Sequence, residues 1–219
     1  MSVKSNSPML LDPLHLHTFA EQGYVIVDDF ISAEMTVLLA QEAVTRFNNQ
    51  AMASARTGKQ TLLNQAIRGD HIDWLEETDD SPAIQAYFAQ MHQLQQLFNE
   101  QFFMGLQSLE THLAVYPAGT GYQKHLDQFQ TNHSGQINTR QVSSILYLNQ
   151  DWSQAQGGEL RLYLDETQTS YGKQWLDVLP IGGRLVLFLS AKFWHEVRPA
   201  TRERISLTGW FRTRETQLL

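Results

Sequence analysis

Two imidazoles and a carboxylate stand out in the second half of the chain. His125 and Asp127 lie in "YPAGTGYQKHLDQ", residues 116–128, and His195 lies in "KFWHEVRPA". On a strand, residues i and i+2 face the same way. His125 and Asp127 would therefore point together, into a barrel or out of it. An inward carboxylate needs a partner, because burying an unpaired charge is costly. A divalent metal is such a partner, and His195 offers the third ligand. Two histidines with one carboxylate is a ligand set of non-haem Fe(II) centres, with positions left open for substrate and oxygen. Zinc accepts the same ligand types, so the set alone does not fix the metal. His-x-Asp by itself is a weak signal, equally readable as a hydrogen-bonded surface pair.

The residues after His195 sharpen it. Arg204 lies in "RERISLTGWFR", nine residues after His195. With strand alternation its face also carries Ser206, Thr208 and Trp210, opposite Ile205, Leu207 and Phe211. An arginine pointing inward beside a metal asks for an anion, and its planar fork suits a carboxylate. Tyr147 in "SILYLN" offers a second donor to that carboxylate.

Elements must bring these residues together. The chain has 219 residues, 42% of them hydrophobic, enough for one well-buried domain over 1–219. The first half reads mostly helical. "DPLHLHTFAEQGY" predicts a short helix ending near Gly23, followed by the strand "YVIVDDF". Ser32 caps a second helix in which Met35, Leu38, Leu39 and Phe47 recur at helical spacing. Ser81-Pro82 starts a third, "SPAIQAYFAQMHQLQQLFNEQF". The polar stretch around 50–69 is expected to be a mobile loop. From about residue 107 the period changes to two, and seven or eight short β-rich segments follow, separated by Gly and Pro turns. The pattern predicts an α+β protein: a helical support layer over 1–106 packed on one sheet of a sandwich or jelly-roll core over 107–213.

Composition narrows the partners. The formal charge is −7 and the pI about 5.6. Nucleic acid and anionic membranes both call for a basic face, so neither is expected as a partner. There is no cysteine, which excludes disulfides and thiolate metal sites and is compatible with a reducing cytosol. The start, "MSVKSNSPMLLDPLHLH", lacks the continuous apolar core of a signal peptide, and no run approaches the roughly 18 apolar residues of a spanning helix. A soluble cytoplasmic protein is expected. Oligomeric state is not legible.

Taken in order, "IRGDHIDWLE", "YPAGTGYQKHLD", "SSILYLNQDW", "GGELRLY", "GRLVLFLS", "HEVRPA" and "RISLTGWF" resemble the 2-oxoglutarate- and Fe(II)-dependent oxygenases, over residues 60–212. Within that family the likeness is to the prolyl 4-hydroxylases that modify hypoxia-inducible factor and to their bacterial relatives. The resemblance implies a double-stranded β-helix fold and the cosubstrates 2-oxoglutarate and O2, with ascorbate as reductant. It implies His125, Asp127 and His195 as iron ligands. Arg204 would bind the far carboxylate of 2-oxoglutarate, helped by Tyr147 and Thr208, with Tyr116, Ile145 and Leu160 lining that pocket. Arg140, Trp210 and Tyr122 would lie on the substrate side, and Arg68, Asp70 and Trp74 would belong to the peptide-closing segment. The implied partner is a protein with a prolyl loop, elongation factor Tu being the first guess. The turn before His125 is one residue shorter than in the animal enzymes, and "QFQTNHSGQIN" replaces their loop. Both changes lie near the substrate entrance. Hydroxylation of lysyl residues or of a small metabolite, or a silent cupin-like binding module, stays open.

The remaining candidates read as structural. His15 and His17 diverge if helical. His71 and His92 read as solvated or ordinary, His112 as an ordinary strand residue, and Trp152 and Trp175 as packing residues. His133 lies in a loop near the entrance.

Overall fold

A computed structural model describes residues 10–55, 68–128, 139–164 and 174–214. Helix α1, Pro13–Gln22, starts where Asp12 accepts from the His15 N–H at 2.8 Å and stops at Gly23, whose φ of 80° suits glycine. Strand β1 is Tyr24–Val27, and α2 is Ala33–Asn48, capped by Ser32 accepting from the Met35 N–H. Helix α3, Pro82–Phe102, buries Ile84, Tyr87, Phe88, Met91, Leu94 and Phe98 along one stripe.

The strands are β2 Ala53–Ser54, β3 His71–Leu75, β4 Ser108–Tyr116, β5 Tyr122–His125, β6 Arg140–Tyr147, β7 Leu160–Tyr163, β8 Trp175–Val178, β9 Leu185–Leu189, β10 His195–Val197 and β11 Arg204–Arg212. They form a seven-stranded sheet, β1-β9-β6-β11-β4-β3-β2, and a four-stranded sheet, β5-β10-β7-β8, with every pair antiparallel. This is a jelly roll.

The large sheet is buried on both faces, and alternation sorts its side chains. Leu113, Val115, Val142, Leu146, Leu185, Leu187, Ile205, Leu207 and Phe211 pack with the three helices in one core. Ala114, Tyr116, Ile145, Tyr147, Val186 and Phe188 face the small sheet, where they meet Leu160, Leu162, Val178 and Val197. The expected helical layer on one sheet is therefore present.

Two sequence expectations are corrected. The polar stretch at 50–69 is not all loop: Ala53 and Ser54 pair with Ile72 and His71. Residues 56–67 lie outside the described residues. "HIDWL" forms β3, which extends the large sheet beside β4, although His71 and Asp73 disguise it as polar surface. The second correction concerns His125 and Asp127. Strand β5 ends at His125, and Asp127 sits in the bend beyond it, so a turn brings the pair together and strand alternation does not.

Candidate active site

Register places the functional side chains in rungs across the inner face of the large sheet. Arg204 lies opposite Tyr116 at one end. Next come Ser206, Ala114 and Tyr147, then Trp74, His112, Thr208 and Ile145. Glu110, Trp210, Ser143 and Phe188 form the rung at the mouth. Above these rungs, β10 in the small sheet sets His195 directly opposite His125 of β5, ring centroids 4.2 Å apart.

Atoms of His125, Asp127 and His195 lie within 4.8 Å of one another. Nδ1–H of His125 donates to the Gln123 carbonyl at 2.8 Å, and Nδ1–H of His195 to that of Phe193 at 3.0 Å. A carbonyl only accepts, so both Nε2 atoms carry the lone pair a metal needs. Both Nε2 atoms stand 3.6 Å from an Asp127 oxygen. Burial and the neighbouring His195 push His125 down to about 4, against the pull of Asp127. At neutral pH the His125–Asp127 contact is thus a neutral ring beside a carboxylate, not an ion pair. Burial alone would raise the Asp127 pKa, but His195, His125, Ser143 and Trp210 outweigh it and hold it below the usual range. An anionic carboxylate with two imidazole Nε2 atoms turned toward it fits a divalent cation.

The far end fits an anion. Arg204 is 1% exposed, yet among the described residues no carboxylate pairs with it. Its Nε–H donates to the Gly158 carbonyl at 3.0 Å, while Nη2 and the Tyr147 hydroxyl are buried and, apart from their proximity to each other, lack a well-formed hydrogen bond among the described residues. The guanidinium stands 5.1 Å from the Tyr116 ring centroid and 5.0 Å from that of Tyr147. Burial pushes both phenols up, so they stay neutral donors. A buried cation with idle donors beside it calls for a carboxylate.

A cavity of about 290 Å³ joins the two ends. Tyr116, Ile145, Thr208 and Arg204 line its depth, and Arg68, Trp74, Tyr122, Arg140 and Trp210 line the outer part. Tyr122 stacks on His125 at 3.7 Å, and Arg68 lies 4.9 Å over Tyr122. Arg140 lies 3.7 Å over Trp210 and pairs with Glu110 at 2.8 Å.

Three predicted residues, Asp70, Leu160 and Tyr147, do not line the cavity. Asp70 is 1% exposed and holds Arg68 in a two-point ion pair of 2.7 and 3.0 Å, so it acts behind the wall. Leu160 packs in the core between the sheets. Tyr147 also lies in that core and presents its hydroxyl. His112 does line the cavity, contrary to its reading as an ordinary strand residue. It is wedged between Trp74 and Trp210, at 4.8 and 5.5 Å. Its place two residues from Ala114 and four from Tyr116 on one strand face was the signal. Trp175 is 41% exposed beneath Arg161, so it is no core residue. His133 lies outside the described residues.

Comparison with known proteins agrees with this geometry. Residues 111–212 match the family model of the 2OG-Fe(II) oxygenase superfamily. The chain is 32% identical to human Egl nine homolog 1 over 209 residues, covering 87% of this chain and 44% of that protein. It spans about half the length of the curated Egl nine relatives it matches. A Pseudomonas putida prolyl-4-hydroxylase structure superposes with a TM-score of 0.80 at 37% identity, covering 94% of this chain and all of that one. A Trichoplax adhaerens prolyl hydroxylase bound to a hypoxia-inducible-factor peptide gives 0.78 at 25% identity, covering 90% of this chain and 87% of that one. A ligand triad on the small sheet, an anion-seeking arginine at the far end of the large one and a full-length structural relative converge: this chain belongs to the 2OG-Fe(II) oxygenase superfamily.

Proposed function

We propose that this protein is a prolyl 4-hydroxylase acting on an exposed prolyl loop of a protein, with Fe(II), 2-oxoglutarate and O2. The observation that carries the reading is one cavity with an imidazole and carboxylate triad at one side and a buried, carboxylate-seeking Arg204 at the other. His125, Asp127 and His195 hold the metal. Arg204, with the Tyr147 hydroxyl and Thr208, binds the far carboxylate of 2-oxoglutarate, and Tyr116 and Ile145 wall its carbon chain. Iron with 2-oxoglutarate and O2 supplies the oxidising power that turns a C–H bond into C–OH, with succinate and CO2 as coproducts.

The protein's own work is placement. The apolar floor excludes water from the cosubstrate end. Tyr122, Arg68, Trp74, Arg140 and Trp210 form an aromatic and cationic rim suited to a peptide, while Asp70 keeps Arg68 in place. The helical layer and the jelly roll share one core, which supports reading 1–219 as a single working unit. No helix among the described residues is long and apolar enough to cross a membrane. We place the enzyme in the cytoplasm and regard elongation factor Tu as the first substrate to test.

The experiment incubates purified protein with Fe(II), ascorbate, 2-oxoglutarate and a lysate of its own organism lacking the gene, followed by mass spectrometry. One 2-oxoglutarate-dependent gain of oxygen on a prolyl residue is expected, and none with Asp127→Ala. Hydroxylated lysine or a modified metabolite would move the substrate elsewhere, and absence of succinate would leave a binding module.

A further inference from the structure

Asp127 is not held by the histidines alone. Ser143 Oγ donates to Asp127 Oδ2 at 2.6 Å, and Ser143 Oγ stands 2.9 Å from Ser190 Oγ. Both serines are fully buried. Ser143 comes from the middle of β6, and Ser190 follows the end of β9, its N–H bonded to the Gln141 carbonyl at 3.0 Å. Ser143 therefore rests on a central strand, and Ser190, the first residue of the turn after β9, is tied to that strand through its N–H.

Donor counting fixes the direction. A ligating carboxylate only accepts, so Ser143 must spend its single proton on Asp127. Ser143 can then only accept from Ser190, and the proton of Ser190 points to Ser143. Each donation polarises the next hydroxyl and strengthens the bond to the carboxylate. Asp127 needs such support, because it lies beyond the end of β5 and its own backbone is in a bend.

We infer that Ser190 and Ser143 form a one-way hydroxyl relay that positions the Asp127 carboxylate through Oδ2. Both serines are positioning residues, and the inference rests on the oxygenase reading of the triad.

The test is metal affinity, read without turnover. Metal-free wild type, Ser143→Ala, Ser190→Ala and the double variant are titrated with Co(II), followed by visible absorption, and the thermal midpoint of each metal-free protein is recorded. Ser143→Ala should weaken Co(II) binding by about 10- to 100-fold. Ser190→Ala should weaken it by about two- to tenfold, the scale of one hydrogen bond. The double variant should match Ser143→Ala, because Ser190 acts only through Ser143. Folded single variants that bind Co(II) as wild type does overturn the relay and leave the oxygenase reading intact. Additive losses in the double variant overturn the one-way order. A wild type that binds no Co(II) overturns both. Should Ser143→Ala fail to fold, Ser190→Ala carries the test alone: unchanged affinity overturns the relay.

Discussion

Arg204 brings a full charge into the interior, held by one carbonyl and by the rings of Tyr116 and Tyr147, with no carboxylate among the described residues. A buried ion without a counter-ion is a cost to the free protein, recovered when an anion arrives. Arg204→Met should therefore weaken 2-oxoglutarate binding at least about thirtyfold, the low end for breaking a buried charge pair. The stability of the ligand-free protein should fall by no more than about 3 kcal/mol, the scale of one hydrogen bond with a desolvated ring contact. Calorimetric titration beside urea unfolding checks both, and a large stability loss would mean that Arg204 has a structural partner. His112 makes a second case. Burial, reinforced by Arg68 and Arg140, pushes it down to about 3 from 6.5. Between those values the unfolded chain binds a proton that the folded one refuses, so His112 costs stability as pH falls through that window. His112→Gln should flatten the loss between pH 6.5 and 4.5 by up to one proton, about 1.4 kcal/mol per pH unit. An unchanged slope would show that the ring is protonated in the fold. The sequence marks His112 only through its phase with Ala114 and Tyr116; nothing in its immediate neighbours reveals two tryptophans from other strands.

The short strands β5 and β10 hold the two histidines, and their contact rests on a glycine. A Cβ on Gly121 would collide with the Val197 carbonyl and crowd the Pro199 nitrogen at 3.3 Å. Both obstacles are backbone, so β5 itself would have to shift. Gly121→Ala should widen the His125–His195 separation and lower metal affinity about tenfold or more, because ligand placement tolerates little error. Titration with Mn(II) checks this; unchanged affinity would show that β5 yields without moving His125. Element by element, legibility followed periodicity. The three helices carry caps and apolar stripes, and β4, β6, β9 and β11 are long or apolar enough to declare themselves. β3 stayed hidden because, one strand in from the sheet edge, it leaves His71 and Asp73 half-buried and Trp74 exposed. Ion pairs from Arg46 to Asp73 and Asp79, both 2.8 Å, anchor β3 to α2 and to the turn before α3. Such long-range contacts leave no local pattern in the chain.

At the scale of the molecule, the two sheets and the helical layer divide the labour. The helices shield one face of the large sheet, which frees its other face to carry a row of polar groups without losing the core. The grouping of His125, Asp127 and His195 and the burial of Arg204 were legible because imidazole and charged side chains stand out in a β-rich half this apolar. Ser143 and Ser190 were not, because a serine in a strand has too many ordinary uses until its neighbours are known. Cosubstrate and metal bind across the gap between the sheets, so occupancy should brace the whole sandwich. Ligands that bind only the folded state stabilise it by about 2.7 kcal/mol at a hundred times Kd. For a chain of this size that corresponds to roughly 5–10 °C in thermal midpoint. Mn(II) alone should supply part of the rise, and 2-oxoglutarate should add to it only when Mn(II) is present, because its near end needs the metal. With Arg204→Met the metal step should remain and the 2-oxoglutarate step should vanish. A full 2-oxoglutarate step in that variant, or one without metal, would place the anion site elsewhere and separate the two ends of the cavity.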